Sequence, residues 1–273
     1  MSDNVPYKFS YEFQQKDDRD YIHKTTPHPQ NLKLEVTTLV KPTTKTTILK
    51  TVPASPPTFT IANLPPILNQ GVLGTCVANA FSYCISKQTN KKVNTSRLCL
   101  YAICRSNDYT PLDQDDGTSI RSACQAIANY GVCQETVYPY TSSYKSLPSL
   151  TAFSSSKKFR QFTYLFISQD LTSIKNSLRT YNAPIIFGIM IYSSFLTETS
   201  SKTGIIPLPD KNNDTFLGGH CMTIVGYNDT TQMFTCGNSW GPRWGINGYC
   251  YIPYNYLTDR TLASDFCVTT FVF

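Results

Sequence analysis

Four residues of this chain can together support chemistry at a carbonyl carbon: Gln70, Cys76, His220 and Asn238. A thiolate attacks carbonyl carbons, a nearby histidine can take up and return the proton, and a third group must orient the imidazole. A side-chain amide can donate a hydrogen bond to the oxyanion that forms. The set therefore predicts acyl chemistry with a cysteine nucleophile.

The sequence around Cys76 predicts a thiol at the start of a helix. Gln70 stands six residues before Cys76, small residues separate the two, and an apolar helical pattern follows. Thr75 or Gly74 can cap this helix, which we expect to run to about Lys87. The positive end of the helix dipole favours a thiolate at this position.

His220 is the base that the compact part of the chain offers, because the other two histidines, His23 and His28, lie in the N-terminal region. Two glycines precede His220 and an apolar strand pattern follows it, which predicts a position at the rim of a sheet. Asn238 can accept the ring N–H, and Trp240 can shield that bond from water. Each residue alone is most simply structural, but their joint occurrence in this order favours a catalytic interpretation.

The elements that must position these residues change type along the chain. Further helices are predicted at Ser96–Asp108, Asp116–Gly131 and Leu171–Tyr181, and strand patterns follow from Ala183 onward. Helices first and strands second predict an α+β protein with a helical half, a sheet half and a cleft between them.

Residues 1–60 form a distinct N-terminal arm. They contain no glycine or cysteine, and the second half is rich in Thr, Lys and Pro. Thr favours extended chain and Pro breaks helices, so we expect short strands at 32–40 and 45–52. Two interpretations stay open: a partly disordered tail, or a prosegment or lid that lies across the active-site cleft.

Composition excludes several classes of protein. The 273 residues are 41% hydrophobic and 15% charged, which is typical of a folded globular chain. The net charge of +6 is scattered, so we expect no nucleic-acid partner. There is no apolar stretch of the roughly 18 residues that span a membrane, and no signal peptide, so we expect an intracellular protein without a membrane partner. The ten cysteines lack zinc-ligand spacing, so we expect free thiols, no metal and no cofactor.

The chain resembles the papain-like cysteine peptidases. NQGVLGTCVANAF is similar to the family's Gln-to-Cys motif, GGHCMTIVGY to its His motif, and NSWGPRWGINGY to its Asn motif. YGVCQETVYPY is similar to a further family segment. The resemblance covers roughly Asn63 to Phe273, and SRL, DGTSIR, KTG and LASDF look closest to a branch found in bacteria and large DNA viruses, which makes a virion an alternative location.

The resemblance implies a two-lobed peptidase domain at 61–273. It implies a helical left lobe at about 70–170, an antiparallel β-barrel-like right lobe at about 183–273, and an active site between them. The implied activity is an endopeptidase acting on polypeptides through a thioester on Cys76. His220 is then the general acid and base, Asn238 holds its ring, and Gln70 and the Cys76 backbone N–H form the oxyanion hole.

The same resemblance implies the substrate contacts. The backbone of Gly117 and Thr118 would pair with the substrate, Ile120 and Cys221 would line the specificity pocket on the acyl side, and Trp240 would flank the leaving group. The family usually carries a disulfide-bonded Cys three residues before the nucleophile. Leu73 stands there in this chain, in keeping with free thiols.

Two other functions are considered. Acyl transfer of the transglutaminase kind also uses Cys, His and a carboxylate in order, but Asn238 in place of Asp argues against it. A non-catalytic binding or virion-packaged protein that keeps the fold is the second, and the intact set of four residues argues against it. If the arm lies in the cleft, the enzyme is autoinhibited.

Overall fold

The computed structural model describes residues 7–12, 56–140, 144–156 and 162–271. The helices are α1 (Cys76–Gln88), α2 (Arg97–Asn107), α3 (Ile120–Tyr130), α4 (Leu150–Ser156), α5 (Leu171–Tyr181), α6 (Glu198–Thr203) and α7 (Tyr254–Thr258), with a 3₁₀ helix at Ser193–Leu196. The strands are β1 (Thr58–Thr60), β2 (Phe162–Phe166), β3 (Ile185–Tyr192), β4 (Phe216–Asn228), β5 (Met233–Gly237), β6 (Tyr249–Pro253) and β7 (Ala263–Phe271).

Short polar side chains begin three of the predicted helices. Ser96 Oγ accepts the N–H of Cys99 at the start of α2, and Asp170 Oδ1 accepts the N–H of Ser173 at the start of α5. Ser119, one of two predicted capping residues, does the same for α3. These bonds satisfy backbone donors that have no partner within a helix. All four predicted helices are present, with ends within a few residues of prediction.

The strands form one antiparallel sheet in the order β2-β7-β3-β4-β5-β6, with β1 paired to β4. The long strand β4 pairs with β1, β3 and β5, so it fixes His220 and Cys221 at the middle of the sheet. Gly188 of β3 lies opposite Cys221. The predicted strands after Ala183 are present, whereas β2 and helix α4 were not predicted.

The end of the predicted arm contributes to this sheet, because β1 lies within residues 1–60 and pairs with β4. The strands expected at 32–40 and 45–52 lie outside the described residues. The short stretch 7–12 is separated from β1 by undescribed chain, yet it contacts residues of both halves of the protein.

Two apolar cores underlie the two halves. The first contains α1, α2 and α3 and includes Cys76, Ile120 and Cys221. The second lies against the sheet and includes Trp240 and Trp244. This architecture confirms the predicted α+β, two-lobed class.

All ten cysteines are free and buried. Across the described ranges, no cluster of three or more His, Cys, Asp or Glu side chains could hold a metal ion. None of the helices in the part of the chain that the structure describes is long and apolar enough to cross a membrane.

Candidate active site

Cys76 is the first residue of α1 and is fully buried. Burial raises the pKa of its thiol to about 11, because the charged form loses hydration. Close to the sulfur lie the backbone N–H groups of Cys221, Val77 and Ser10, which lower the pKa of the thiol. The thiol therefore lies against the backbone of β4 immediately after His220.

His220 and Asn238 form the predicted pair: Nε2 of the imidazole and Oδ1 of the amide are 2.8 Å apart. Trp240 stacks on the imidazole, with ring centroids 4.9 Å apart and planes 28° apart, so it covers this bond. Burial lowers the pKa of His220 to about 4, and the bond to Asn238 acts in the opposite direction. The Nδ1 atom has no hydrogen-bond partner among the described residues.

Gln70 is fixed between the two halves by hydrogen bonds to Ser239. The Gln70 backbone N–H donates to the Ser239 carbonyl at 2.8 Å, and the Ser239 hydroxyl donates to Gln70 Oε1 at 2.6 Å. The Ser239 N–H in turn donates to Asn238 Oδ1 at 2.7 Å. A continuous series of hydrogen bonds thus links Gln70, Asn238 and His220. Ser239 was not predicted, although it directly follows Asn238 in the NSWG motif.

A short piece of the N-terminal arm lies across these residues. We refer to residues 7–12 as the docked segment. Tyr7 stacks on Trp240 with ring centroids 4.3 Å apart, and the ring of Phe9 meets His220 edge-on at 6.1 Å. The docked segment therefore covers the imidazole that was predicted to be catalytic.

The docked segment also reaches the amide of Gln70 and the start of α1. Gln70 Nε2 donates to the carbonyl of Lys8 at 3.4 Å and to that of Leu73 at 2.9 Å. Lys8 Nζ lies 3.1 Å from the carboxylate of Asp115, which accepts the N–H of Gly74. A lysine of the arm thus pairs with a carboxylate that holds the loop before Cys76.

Gly117 and Thr118, predicted to pair with a substrate chain, contact the backbone of the docked segment. A Cβ atom on Gly117 would come within 1.6 Å of the Ser10 carbonyl oxygen, so only glycine allows this approach. Tyr11 forms a parallel β-bridge with Thr118, and its N–H donates to the Gly219 carbonyl at 2.9 Å.

The side chain of Tyr11 fills a pocket between the halves and is 5% exposed. It shares the first core with Ile120 and Cys221, the two residues predicted to line the specificity pocket. Its hydroxyl donates to the carboxylate of Asp265. Asp265 was not predicted, because nothing in its local sequence indicates where its carboxylate would point.

The docked part of the arm was not predicted either. The alternation of aromatic and polar residues in YKFSYE was a usable signal, because Tyr7, Phe9 and Tyr11 stand two residues apart in an otherwise polar region. The strands expected in the arm, at 32–40 and 45–52, lie instead in its later Thr- and Pro-rich part.

Residues 59–268 match the model of the papain family of cysteine proteases. The chain belongs to this family. It is 35% identical over 215 residues to an uncharacterized peptidase C1-like protein, L477, of Acanthamoeba polyphaga mimivirus, a match that covers 74% of this chain and 68% of the relative. Papain-like enzymes are cysteine peptidases, so the chain is a peptide hydrolase of that type.

Solved structures agree with this membership. Xylellain, a cysteine protease from Xylella fastidiosa, superposes with a TM-score of 0.75 at 30% identity over 81% of this chain and 88% of xylellain. The procathepsin B S9 of Trypanosoma congolense superposes with a TM-score of 0.62 at 18% identity over 80% of this chain and 78% of its own, which shows the shared fold. A viral and a bacterial relative confirm the predicted branch.

Proposed function

We propose that the protein is an endopeptidase that forms a thioester between Cys76 and the acyl part of a polypeptide, and that its N-terminal arm holds it inactive. The observation that carries the catalytic part is the series of hydrogen bonds from Gln70 through Ser239 and Asn238 to His220. It ends at the imidazole of His220, and the thiol at the start of α1 lies against the backbone of the next residue, Cys221.

Each group of the site has a step in this reaction. His220 takes the thiol proton of Cys76, and the sulfur attacks the substrate carbonyl carbon. Gln70 Nε2 and the Cys76 backbone N–H stabilise the resulting oxyanion. The C–N bond breaks as His220 returns the proton to the leaving amine, which leaves a thioester. Water, deprotonated by His220, then releases the acid and restores the thiol.

Asn238 would keep the imidazole oriented through these steps. Its Oδ1 also accepts the Ser239 N–H, so two bonds fix the amide. Trp240 covers the His220–Asn238 bond, and a bond shielded from water is stronger than an exposed one.

Autoinhibition by the arm is supported by what the docked segment covers. Cys76 and His220 are both fully buried, although a peptidase must present them to its substrate. The Gln70 amide, proposed to bind the oxyanion, donates to the Lys8 carbonyl instead. Burial also raises the pKa of the thiol and lowers the pKa of the imidazole. Both shifts favour the neutral forms and oppose formation of the reactive ion pair.

The direction of the docked segment explains why it would not be cleaved. A substrate runs from the acyl-side pocket toward Trp240, which flanks the leaving group. The docked segment runs the opposite way, from Tyr7 on Trp240 to Tyr11 in the pocket. Near the sulfur it presents the N–H of Ser10.

Covalent labelling tests the catalytic assignment. Incubation of the reduced full chain with an epoxysuccinyl reagent should add one reagent mass at Cys76, while Cys76→Ala gains none. A folded, reduced chain that lacks residues 1–55, stays unlabelled and cleaves no peptide would contradict the assignment. Transfer of the acyl group to an added amine in preference to water would indicate a transglutaminase-like enzyme instead.

Deletion of residues 1–55 tests the autoinhibition. It removes the docked segment and keeps β1, so we expect labelling and peptide cleavage to become at least about tenfold faster, which corresponds to loss of ~1.4 kcal/mol of docking free energy. Equal rates for the two chains would show that the arm is a tail or a packing element.

A further inference from the structure

The loop from Gln70 to Thr75 joins the two groups proposed to bind the oxyanion. Gln70 begins the loop and supplies its side-chain amide, and Cys76, which follows Thr75, supplies its backbone N–H. Ser239 of the sheet half bonds both the backbone N–H and the Oε1 of Gln70. The relative position of the two donors therefore depends on what holds the other side of this loop.

A single hydroxyl group, that of Tyr140 in the chain after α3, contacts both ends of the loop. It donates to the Gln70 carbonyl at 2.8 Å, and the Thr75 hydroxyl lies 2.7 Å from the same oxygen. Because the one proton of the Tyr140 hydroxyl goes to the carbonyl, the Thr75 hydroxyl is the donor in the second bond. The oxygen atom of Tyr140 thus bridges residues 70 and 75 and sets the span of the loop.

The ring of Tyr140 is held in place by Arg97 at the start of α2. The guanidinium carbon of Arg97 lies 3.6 Å from the centre of the ring, which is a cation–π contact. Its Nη1 donates to the Asn69 carbonyl and to Asn79 Oδ1, both at 3.0 Å. The carboxylate of Glu135 accepts the backbone N–H groups of Tyr140 and Arg97. The tyrosine is therefore fixed at its ring and at its backbone.

Asn79 of α1 completes this network on its buried side. Its Nδ2 donates to the Thr75 carbonyl at 2.8 Å and to Thr75 Oγ1 at 3.1 Å. The Thr75 hydroxyl thus accepts one bond and donates another, which fixes its orientation. Both side chains are buried, and a buried network whose members are all bonded is rigid.

We infer that Tyr140 is a positioning residue for the oxyanion hole: its hydroxyl holds the two ends of the loop so that the Gln70 amide and the Cys76 N–H point at one oxyanion. The inference rests on the proposed peptidase function and adds to it a residue that touches neither the substrate nor the sulfur. A displaced donor stabilises the transition state less, and this loss lowers kcat rather than raising KM.

Tyr140→Phe in the full-length chain tests this role, because it removes the hydroxyl and keeps the ring on Arg97. We expect kcat at saturating peptide to fall about three- to tenfold without a rise in KM. The arm competes with the peptide, so its docking does not alter this kcat. Tyr138→Phe is the matched control: its hydroxyl bonds the Ser146 carbonyl at 3.1 Å, and its loss should leave kcat unchanged. Thr75→Val removes the partner hydroxyl, should lower kcat in the same way, and decides the matter if Tyr140→Phe fails to fold.

Two further measurements separate this role from a general loss of structure. Alkylation of Cys76 by iodoacetamide forms no oxyanion, so its rate in Tyr140→Phe should not fall below that of the wild type. In a Gln70→Ala background, which already lacks the amide donor, Tyr140→Phe should lower kcat by no more than about twofold.

The contrary outcomes distinguish the inference from the function on which it rests. An unchanged kcat in Tyr140→Phe, an equal fall in kcat and in alkylation rate, or a full loss of kcat in the Gln70→Ala background would overturn the positioning role while the peptidase function stands. Absence of both peptide cleavage and Cys76 alkylation in the wild-type chain, with or without residues 1–55, contradicts the proposed function itself.

Discussion

Tyr7 lies flat on the indole of Trp240, with ring centroids 4.3 Å apart and planes only 10° apart. Trp240 also stacks on His220. The same indole therefore contacts both the imidazole and the first residue of the docked segment. The residue proposed to shield the catalytic pair is thus also the anchor of the arm.

Tyr7→Ala should release the arm. An aromatic pair contributes about 0.5–1.5 kcal/mol beyond the area it buries, so loss of the ring should speed alkylation of Cys76 by a small reagent about three- to tenfold or more. Tyr181→Ala, at an exposed position at the end of α5, is the matched control and should leave the rate unchanged. Equal rates for Tyr7→Ala and wild type would contradict the role of the stack.

Acidification should undock the arm through His220. Burial lowers the pKa of this imidazole from an ordinary 6.5 to about 4 in the docked state, and the ring of Phe9 from the docked segment contributes to that burial. The neutral ring favours docking, so this contribution is fully present above pH 6.5 and is lost as the pH falls from 6.5 toward 4. The full shift sets an upper limit of about 3 kcal/mol on this contribution to docking.

Hydrogen exchange of the Tyr11 amide, which donates to the Gly219 carbonyl, measures this pH dependence. Its protection, corrected for the intrinsic pH dependence of exchange, should decrease across that window. The Ile61 amide donates to Val225 at the same distance of 2.9 Å and is the control, which should stay protected. Constant or rising protection at Tyr11 would refute the prediction.

Protonation of Glu12 should strengthen docking of the arm, whereas protonation of His220 weakens it. Partial burial, followed by the charges of Asp108 and Asp116, raises the pKa of this carboxyl in the docked state. Its protonated form therefore favours docking, and the charge weakens docking as the pH rises above the ordinary 4.5. Glu12→Gln should slow Cys76 alkylation at pH 7, by about twofold or less because the side chain is exposed. Faster alkylation would show that Glu12 anchors the segment.

Much of the fold and of the candidate site was predictable because it depends on local patterns. The apolar stripe after Cys76 and the caps at Ser96 and Ser119 specify helices from nearby residues alone. β2 was missed because its place in the sheet is set by pairing with β7, about a hundred residues later in the chain. The contact of Tyr11 with Asp265 spans almost the whole chain, so no sequence pattern could show it.

Gly188→Ala should narrow the pocket without straining the backbone, because Gly188 does not have a positive φ. The added methyl would overlap the ring position of Tyr11. We expect faster Cys76 alkylation, since the arm is released. A variant that is alkylated at the wild-type rate would show that the strand shifts to accept the methyl.

Ser239 should act on catalysis through Gln70. Its hydroxyl holds Oε1 of the Gln70 amide and so aims Nε2 at the proposed oxyanion position. Gln70→Ala removes the donor and should lower kcat about a hundredfold, as expected for one oxyanion-hole donor. Ser239→Ala leaves the donor but frees its orientation, so kcat should fall about three- to tenfold with KM nearly unchanged, and Ser239→Thr should restore most of the loss. A rise in KM at constant kcat would instead assign Ser239 to substrate binding.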